Sequence, residues 1–132
     1  MAEGSLLVAR RTGGDKFSLL LDDGLAAAVS LELDGMQAEL LQAATQRLEA
    51  STLSVGSYAD MAKQLESANG SSAPGLFLVP WHDDAEAEEQ IKKETKATIR
   101  CYPLDRQHLA EGQECFFSGK PATHMAIFAR AF

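Results

Sequence analysis

Few side chains in this 132-residue chain have the reach to do chemistry: two cysteines, Cys101 and Cys115, and three histidines, His82, His108 and His124. Metal ligation is the first use to weigh, because a closed tetrahedral zinc site needs four donors of this kind. His124 or Asp84 could enter such a set, but no fixed spacing supports it. Nucleophilic catalysis finds less support. Cys115 and Ser118 adjoin apolar Phe116 and Phe117, and no His–Asp arrangement can be assembled to activate either. Gly112, Gly119 and Lys120 lack the Gly-x4-Gly-Lys-Ser/Thr spacing of a phosphate loop. Each histidine has a structural reading, which we prefer: His82 pairing with Asp83 or Asp84, His108 in a loop, His124 in a strand. A small metal hydrolase built on His82, His124 and Cys115 is the weakest option.

The elements that must position these groups centre on residues 76–104. Leu76, Phe77, Leu78 and Val79 form an apolar run too short for a helix, lying between Gly75 and Pro80, and predict a strand buried on both faces. Asp83 or Asp84 caps the helix that follows. Glu86, Glu88 and Glu89 fall in its first turns and Lys92, Lys93 and Lys96 in its last, the charge order a helix dipole favours. Residues 97–102, rich in β-branched and aromatic side chains, predict a second strand that Pro103 stops. Two strands joined through one helix are expected to lie parallel with a right-handed crossover.

Upstream, residues 5–9 and 17–21 read as the strands of a hairpin, with Gly13 and Gly14 supplying the positive φ of its turn. Two strands alone are marginal in water, so they read as the end of something larger. Over 22–51, Leu25, Val29, Leu33, Met36, Leu40, Ala44 and Leu48 recur every three or four residues, an apolar stripe expected to pack in a core. Ser30 and Gly35 leave two arrangements open: one continuous helix, or a short helix to about Val29 followed by a longer one. Ser57 and Asp60 resemble a capping box and open a short helix with Tyr58, Met61, Ala62 and Leu65 on one face. Residues 69–75 end it in the most flexible-looking segment of the chain. Residues 104–113 read as a polar loop, and 114–118 and 123–132 as strands joined by a turn at Gly119, Lys120 and Pro121. Trp81, Tyr102, Phe116, Phe117 and Phe128 read as core or domain interface rather than base-stacking surface.

The fold class that results is α/β (α+β): a small mixed sheet with two packed helices, preceded by a linker helix and an N-terminal hairpin. At 45% apolar composition, 132 residues suffice for a real core. There is no run of about 18 apolar residues and no basic segment leading an apolar one, so neither a membrane span nor a signal peptide is expected. Two cysteines without secretory context predict reduced thiols in a soluble, intracellular chain. The net charge of −7, +2 over residues 96–132 against −9 over 1–95, argues against a general polyanion binder.

Pro80 and Trp81 ahead of an acidic helix, the stretch 94–103, the run from Cys115 to Pro121 and the ending 127–132 together resemble the C-terminal domain of archaeal/eukaryotic-type prolyl-tRNA synthetases. The resemblance extends back through Thr52, Ser57 and Tyr58 to Val8, Ala9, Arg10 and Arg11, and so covers nearly the whole chain. It implies that residues 1–21 close the anticodon-binding domain, 22–52 form the linker helix and 53–132 form the C-terminal domain. The parent it implies is a cytoplasmic class II homodimer that joins proline to tRNA-Pro using ATP. The catalytic core with its ATP site is absent here. A structural role without catalysis or cofactor is therefore expected, bracing the anticodon-binding domain against the catalytic domain.

The same resemblance bears on single residues. The family pattern holds a structural zinc by four thiolates, at the positions that are His82, Ala87, Cys115 and Ser118 here. Alanine has no donor and a serine hydroxyl is a poor zinc ligand, so the site is expected to be degenerate and zinc-free. Arg10 and Arg11 are candidates for a tRNA-facing pair, against a plain reading as solvated charges. Phe132 stands where the family often ends in Tyr, with its carboxylate placed towards the catalytic domain, and is a candidate interdomain contact without the phenol. The alternative function is a free-standing protein-interaction module of the same fold, with Met1 as a natural start.

Overall fold

A computed structural model describes residues 4–68 and 75–130. Most of the segment read as flexible, 69–75, and Phe132 lie outside the described residues. The chain divides into two compact units, Met1–Leu48 and Glu49–Phe132.

In the first unit, β1 (Ser5–Val8) and β2 (Phe17–Leu20) pair antiparallel, with Val8 opposite Phe17. Gly13 and Gly14, at φ of 98° and 96°, turn the chain as the hairpin requires. Asp22 then accepts the Gly24 N–H at 2.8 Å and leads into α1 (Leu25–Ser51). This helix runs unbroken through Ser30 and Gly35 for 27 residues. The expected burial of its apolar stripe is not found: α1 has no buried residue, and Leu33, Leu40 and Leu48 are exposed. Periodicity identifies an apolar face but not what covers it. A two-stranded hairpin is too narrow to cover this one, and within α1 only Leu25, Ala28, Glu32, Gly35, Met36 and Ala43 are half-buried.

The second unit is built on a four-stranded sheet in the order β3 (Thr52–Ser54), β4 (Leu76–Trp81), β6 (His124–Arg130), β5 (Ala97–Cys101). β3 lies parallel to β4, while β6 is antiparallel to both β4 and β5. The two strands joined by α3 (Ala85–Thr95) therefore share a direction, as expected, but they are not neighbours. The last strand enters between them.

The register explains the layers. Phe77 faces Phe128 and Val79 faces Ala126, and their side of the sheet packs with Met61 and Leu65 of α2 (Tyr58–Ser67) and with Ala87 and Ile91 of α3. The opposite side carries Leu78 and Met125, covered by Ala110 at the end of a 3₁₀ helix, Leu104–Ala110, where a loop was expected. That helix is anchored by Gln107, whose amide accepts the Met125 N–H at 3.1 Å and donates to its carbonyl at 2.9 Å. β5 pairs with β6 only from Ile127 onward, so Gln107 satisfies backbone groups that no strand reaches.

The local signals hold where the chemistry is local. Ser57 caps α2 by accepting the Asp60 N–H, and Asp84 caps α3 by accepting from Glu86 and Ala87. Pro80 does not end β4 but lies inside it, with its carbonyl turned away from β6 to accept the Phe116 N–H at 3.0 Å. β3 pairs only as far as Leu78, so on that side no neighbouring strand requires the donor that proline lacks. Residues 114–118 are not a strand: one bridge joins Glu114 to Pro121, and between them the chain turns through Phe116, Phe117 and Ser118.

Candidate functional site

The residues with chemical reach meet at one corner of the second unit, where the end of β4, the start of α3 and the 115–121 turn come together. Cys115 is buried, and its sulfur receives hydrogen bonds from the Ser118 hydroxyl and from the backbone N–H groups of Ser118, His82 and Phe117. Burial pushes the thiol up, but these donors together outweigh it and hold Cys115 below the ordinary cysteine range. The His82 ring lies 2.9 Å from the Pro121 carbonyl through Nδ1. A carbonyl only accepts, so Nδ1 carries the proton. This bond takes the place of the expected pairing with Asp83 or Asp84.

Asp84 instead faces Lys120, 3.3 Å from its ammonium, while its other oxygen caps α3. The Ala87 N–H and the Lys120 charge hold the Asp84 carboxyl below its usual range. Ala87 itself is buried in the same apolar cluster as Cys115, Phe116 and Trp81. Of the four positions that the family resemblance aligned with zinc ligands, His82, Cys115 and Ser118 are thus in direct contact and Ala87 lies within the shared core. As donors they do not fit the metal. Ala87 offers none, Ser118 offers a hydroxyl already bonded to Cys115, and His82 has one ring nitrogen committed to Pro121. Among the described residues no three His, Cys, Asp or Glu side chains come together as a metal cluster.

The remaining candidates are dispersed. His108 is exposed on the 3₁₀ helix, and Cys101 is exposed on β5. His124 is half-buried, with Nδ1 2.9 Å from the Thr123 hydroxyl and its ring 4.9 Å from that of Tyr102. Trp81, Phe116 and Phe128 form a buried aromatic cluster, with Phe128 5.3 Å from Trp81 and 5.4 Å from Phe116, as the core reading expected. In the first unit Arg10 is fully engaged: it bonds the Glu32 carboxylate in a fork and Glu39 at 2.9 and 3.0 Å, and lies 5.9 Å over the Phe17 ring. Arg11 is exposed, with no ion pair among the described residues. Phe132 lies outside the described residues.

Sequence reasoning missed two pairings here. Glu32 and Glu39 stand seven residues apart, two turns along one helix face, and that spacing was a legible hint of a two-carboxylate seat. Lys120 gave no such sign, since its partner lies 36 residues away.

Comparison with known proteins follows this geometry. The family described as prolyl-tRNA synthetase, C-terminal, matches residues 68–132. The proline–tRNA ligase of Chlorobium phaeobacteroides is 34% identical over 134 aligned residues, covering 98% of this chain and 26% of the relative. That of Chlorobium luteolum is 36% identical, covering 98% and 27%, and that of Porphyromonas gingivalis 34% identical, covering 100% and 25%. The chain spans about a quarter of the length of the curated relatives it matches. Residues 68–132 thus belong to the prolyl-tRNA synthetase C-terminal family, and proline–tRNA ligases align along nearly the entire chain.

Proposed function

We propose that this chain is the C-terminal structural part of a proline–tRNA ligase, supporting ATP-dependent attachment of proline to tRNA-Pro without catalysis of its own. The observation that carries the reading is the identity of 34–36% to proline–tRNA ligases along 98% of the chain. The site supports a structural role: the Cys115 thiol is buried in the same apolar cluster as Trp81, Ala87 and Phe116. On this reading the partners are the anticodon-binding and catalytic domains of a homodimeric parent in the cytoplasm, and tRNA reaches the chain only through that parent. Arg10 then braces the hairpin against α1 through Glu32 and Glu39, and Arg11 is the better candidate for a phosphate.

The test is proline-dependent ATP–pyrophosphate exchange. The isolated chain is expected to show none, and a parent ligase lacking this region is expected to lose rate that the intact ligase retains. Exchange by the isolated chain, or an unaffected truncated ligase, overturns the reading; the second result favours a free-standing interaction module. Phe132 sharpens the test. Deleting Ala131 and Phe132 from the full ligase is expected to slow proline activation while leaving the Tm of the isolated chain almost unchanged. A large loss of that Tm reassigns Phe132 to the local core.

A further inference from the structure

The corner around Cys115 has to join three pieces of chain: the end of β4, the first turn of α3 and the 115–121 turn. A metal held from positions 82, 87, 115 and 118 would join all three, yet the side chains present do not fit one. We infer that in this chain the cross-link is made by the protein's own bonds, with a Lys120–Asp84 pair, a His82–Pro121 bond and a thiol seated among backbone N–H groups in the place of the metal.

Each piece is tied to the next. The turn is fixed to β4 by the Phe116 N–H to the Pro80 carbonyl at 3.0 Å, by the His82 ring to the Pro121 carbonyl at 2.9 Å, and by the His82 N–H to the Cys115 sulfur. It is fixed to α3 by Lys120, whose ammonium reaches Asp84 at 3.3 Å while Asp84 caps the helix beside Ala87. Within the turn, Cys115 donates its N–H to the Lys120 carbonyl at 2.7 Å and accepts the Gly119 N–H on its own carbonyl at 3.0 Å. Gly119 sits at φ 70°, the left-handed conformation that lets the chain fold back on Cys115.

The two positions without a thiolate or imidazole, 87 and 118, are absorbed differently. Ala87 turns its methyl into the apolar cluster of Trp81, Cys115, Phe116 and Phe128, where it contributes to packing. Ser118 keeps a polar contact by donating its hydroxyl to Cys115. The sulfur is therefore an acceptor at the centre of a hydrogen-bonded turn rather than a ligand waiting for an ion. Such a lock differs from a metal in a measurable way: chelators leave it intact, and it weakens when one charged partner is removed.

The experiment uses the full chain and its variants. Wild-type protein prepared with added zinc is expected to retain no stoichiometric metal, and a chelator is expected to leave its Tm unchanged. Lys120→Met and His82→Ala are each expected to lower the Tm by several degrees. Restoring the donors with His82→Cys, Ala87→Cys and Ser118→Cys beside Cys115 is expected to create a site for one cobalt(II) ion, with thiolate charge-transfer and tetrahedral bands that the wild type lacks. Wild-type protein that keeps zinc and melts earlier with chelator overturns the inference. So does an unchanged Tm in both Lys120→Met and His82→Ala. A folded triple variant without the cobalt bands refutes the claim that the four positions face one point; should that variant not fold, the chelator and single-variant melts decide.

Discussion

The two units of this chain solve the problem of burying apolar surface in opposite ways. The second holds Trp81, Phe77, Phe128, Met61, Leu65 and Ile91 with no exposed surface, and among its described residues leaves three large hydrophobic side chains, Tyr102, Leu104 and Leu109, in the open. Among the described residues of the first, no hydrophobic side chain is buried, and ten large ones are exposed. Sequence composition does not separate them: α1 carries six leucines in 27 residues, more than the packed helices α2 and α3, which have one and none. The difference is one of layers. A sheet with helices on one face and a 3₁₀ helix on the other encloses a core, whereas one hairpin and one helix give each apolar face at most one neighbour. The first unit is therefore held largely by polar bonds, with Arg10 bridging the hairpin to Glu32 and Glu39.

The most drastic way to test this contrast is to separate the units. A polypeptide of residues 49–132 is expected to melt cooperatively with a near-native far-UV spectrum, while residues 1–48 alone show no cooperative transition. If the short piece melts cooperatively at micromolar concentration, the contrast fails. Point substitutions sharpen it. Trp81→Ala removes a fully buried ring and is expected to cost about 3–5 kcal/mol in urea unfolding, whereas Leu33→Ala, at 58% exposure, stays within about 0.5 kcal/mol. A Leu33→Ala loss as large as that of Trp81→Ala would mean the first unit has a core of its own.

The smallest effect is on pH. Tyr58 donates its hydroxyl to Glu94; burial and then this bond raise the phenol, and the bond lowers the Glu94 carboxyl. A raised tyrosine contributes stability that is whole below the unfolded value of about 10 and is lost as pH climbs through the folded one. A depressed glutamate contributes stability that is whole above about 4.3 and is lost as pH falls through its folded value. Tyr58→Phe is thus expected to flatten the stability profile of residues 49–132 at both extremes and to change it little near neutrality. A variant whose profile overlays the wild type at pH 3 and above pH 10 would refute the coupling.

How much of this was legible in the sequence depends on how far apart the partners lie. Ser57 with Asp60, and Gly13 with Gly14, act within a few residues and were read correctly from their neighbours; the cap of α3 was narrowed to Asp83 or Asp84, and the structure gives it to Asp84. The position of β6 between β4 and β5 was not, because an alternating or apolar run says that a strand forms without naming its partner. The 3₁₀ helix was missed for a related reason: its anchor is Gln107 on Met125, 18 residues on, in a stretch whose local composition is that of a loop. At the candidate site the four aligned positions were found through family resemblance, and the structure brings them together. The bonds that occupy the site, Lys120 with Asp84 and His82 with Pro121, span 36 and 39 residues and leave no local trace.

The place of β6 also sets an order of events during synthesis. β4 and β5 emerge from the ribosome well before residues 124–130, yet neither pairs with the other, and each uses β6 as its antiparallel neighbour. Until that strand arrives, β5 has no strand partner and β4 has one bare edge, the kind of surface that recruits other chains. Closure of the sheet is thus a late, long-range step, slow by comparison with the helices on either side of it. A ribosome that stalls before residue 124 would release a chain whose β4 and β5 lack the strand that joins them, leaving α2 and α3 without a finished sheet to pack on.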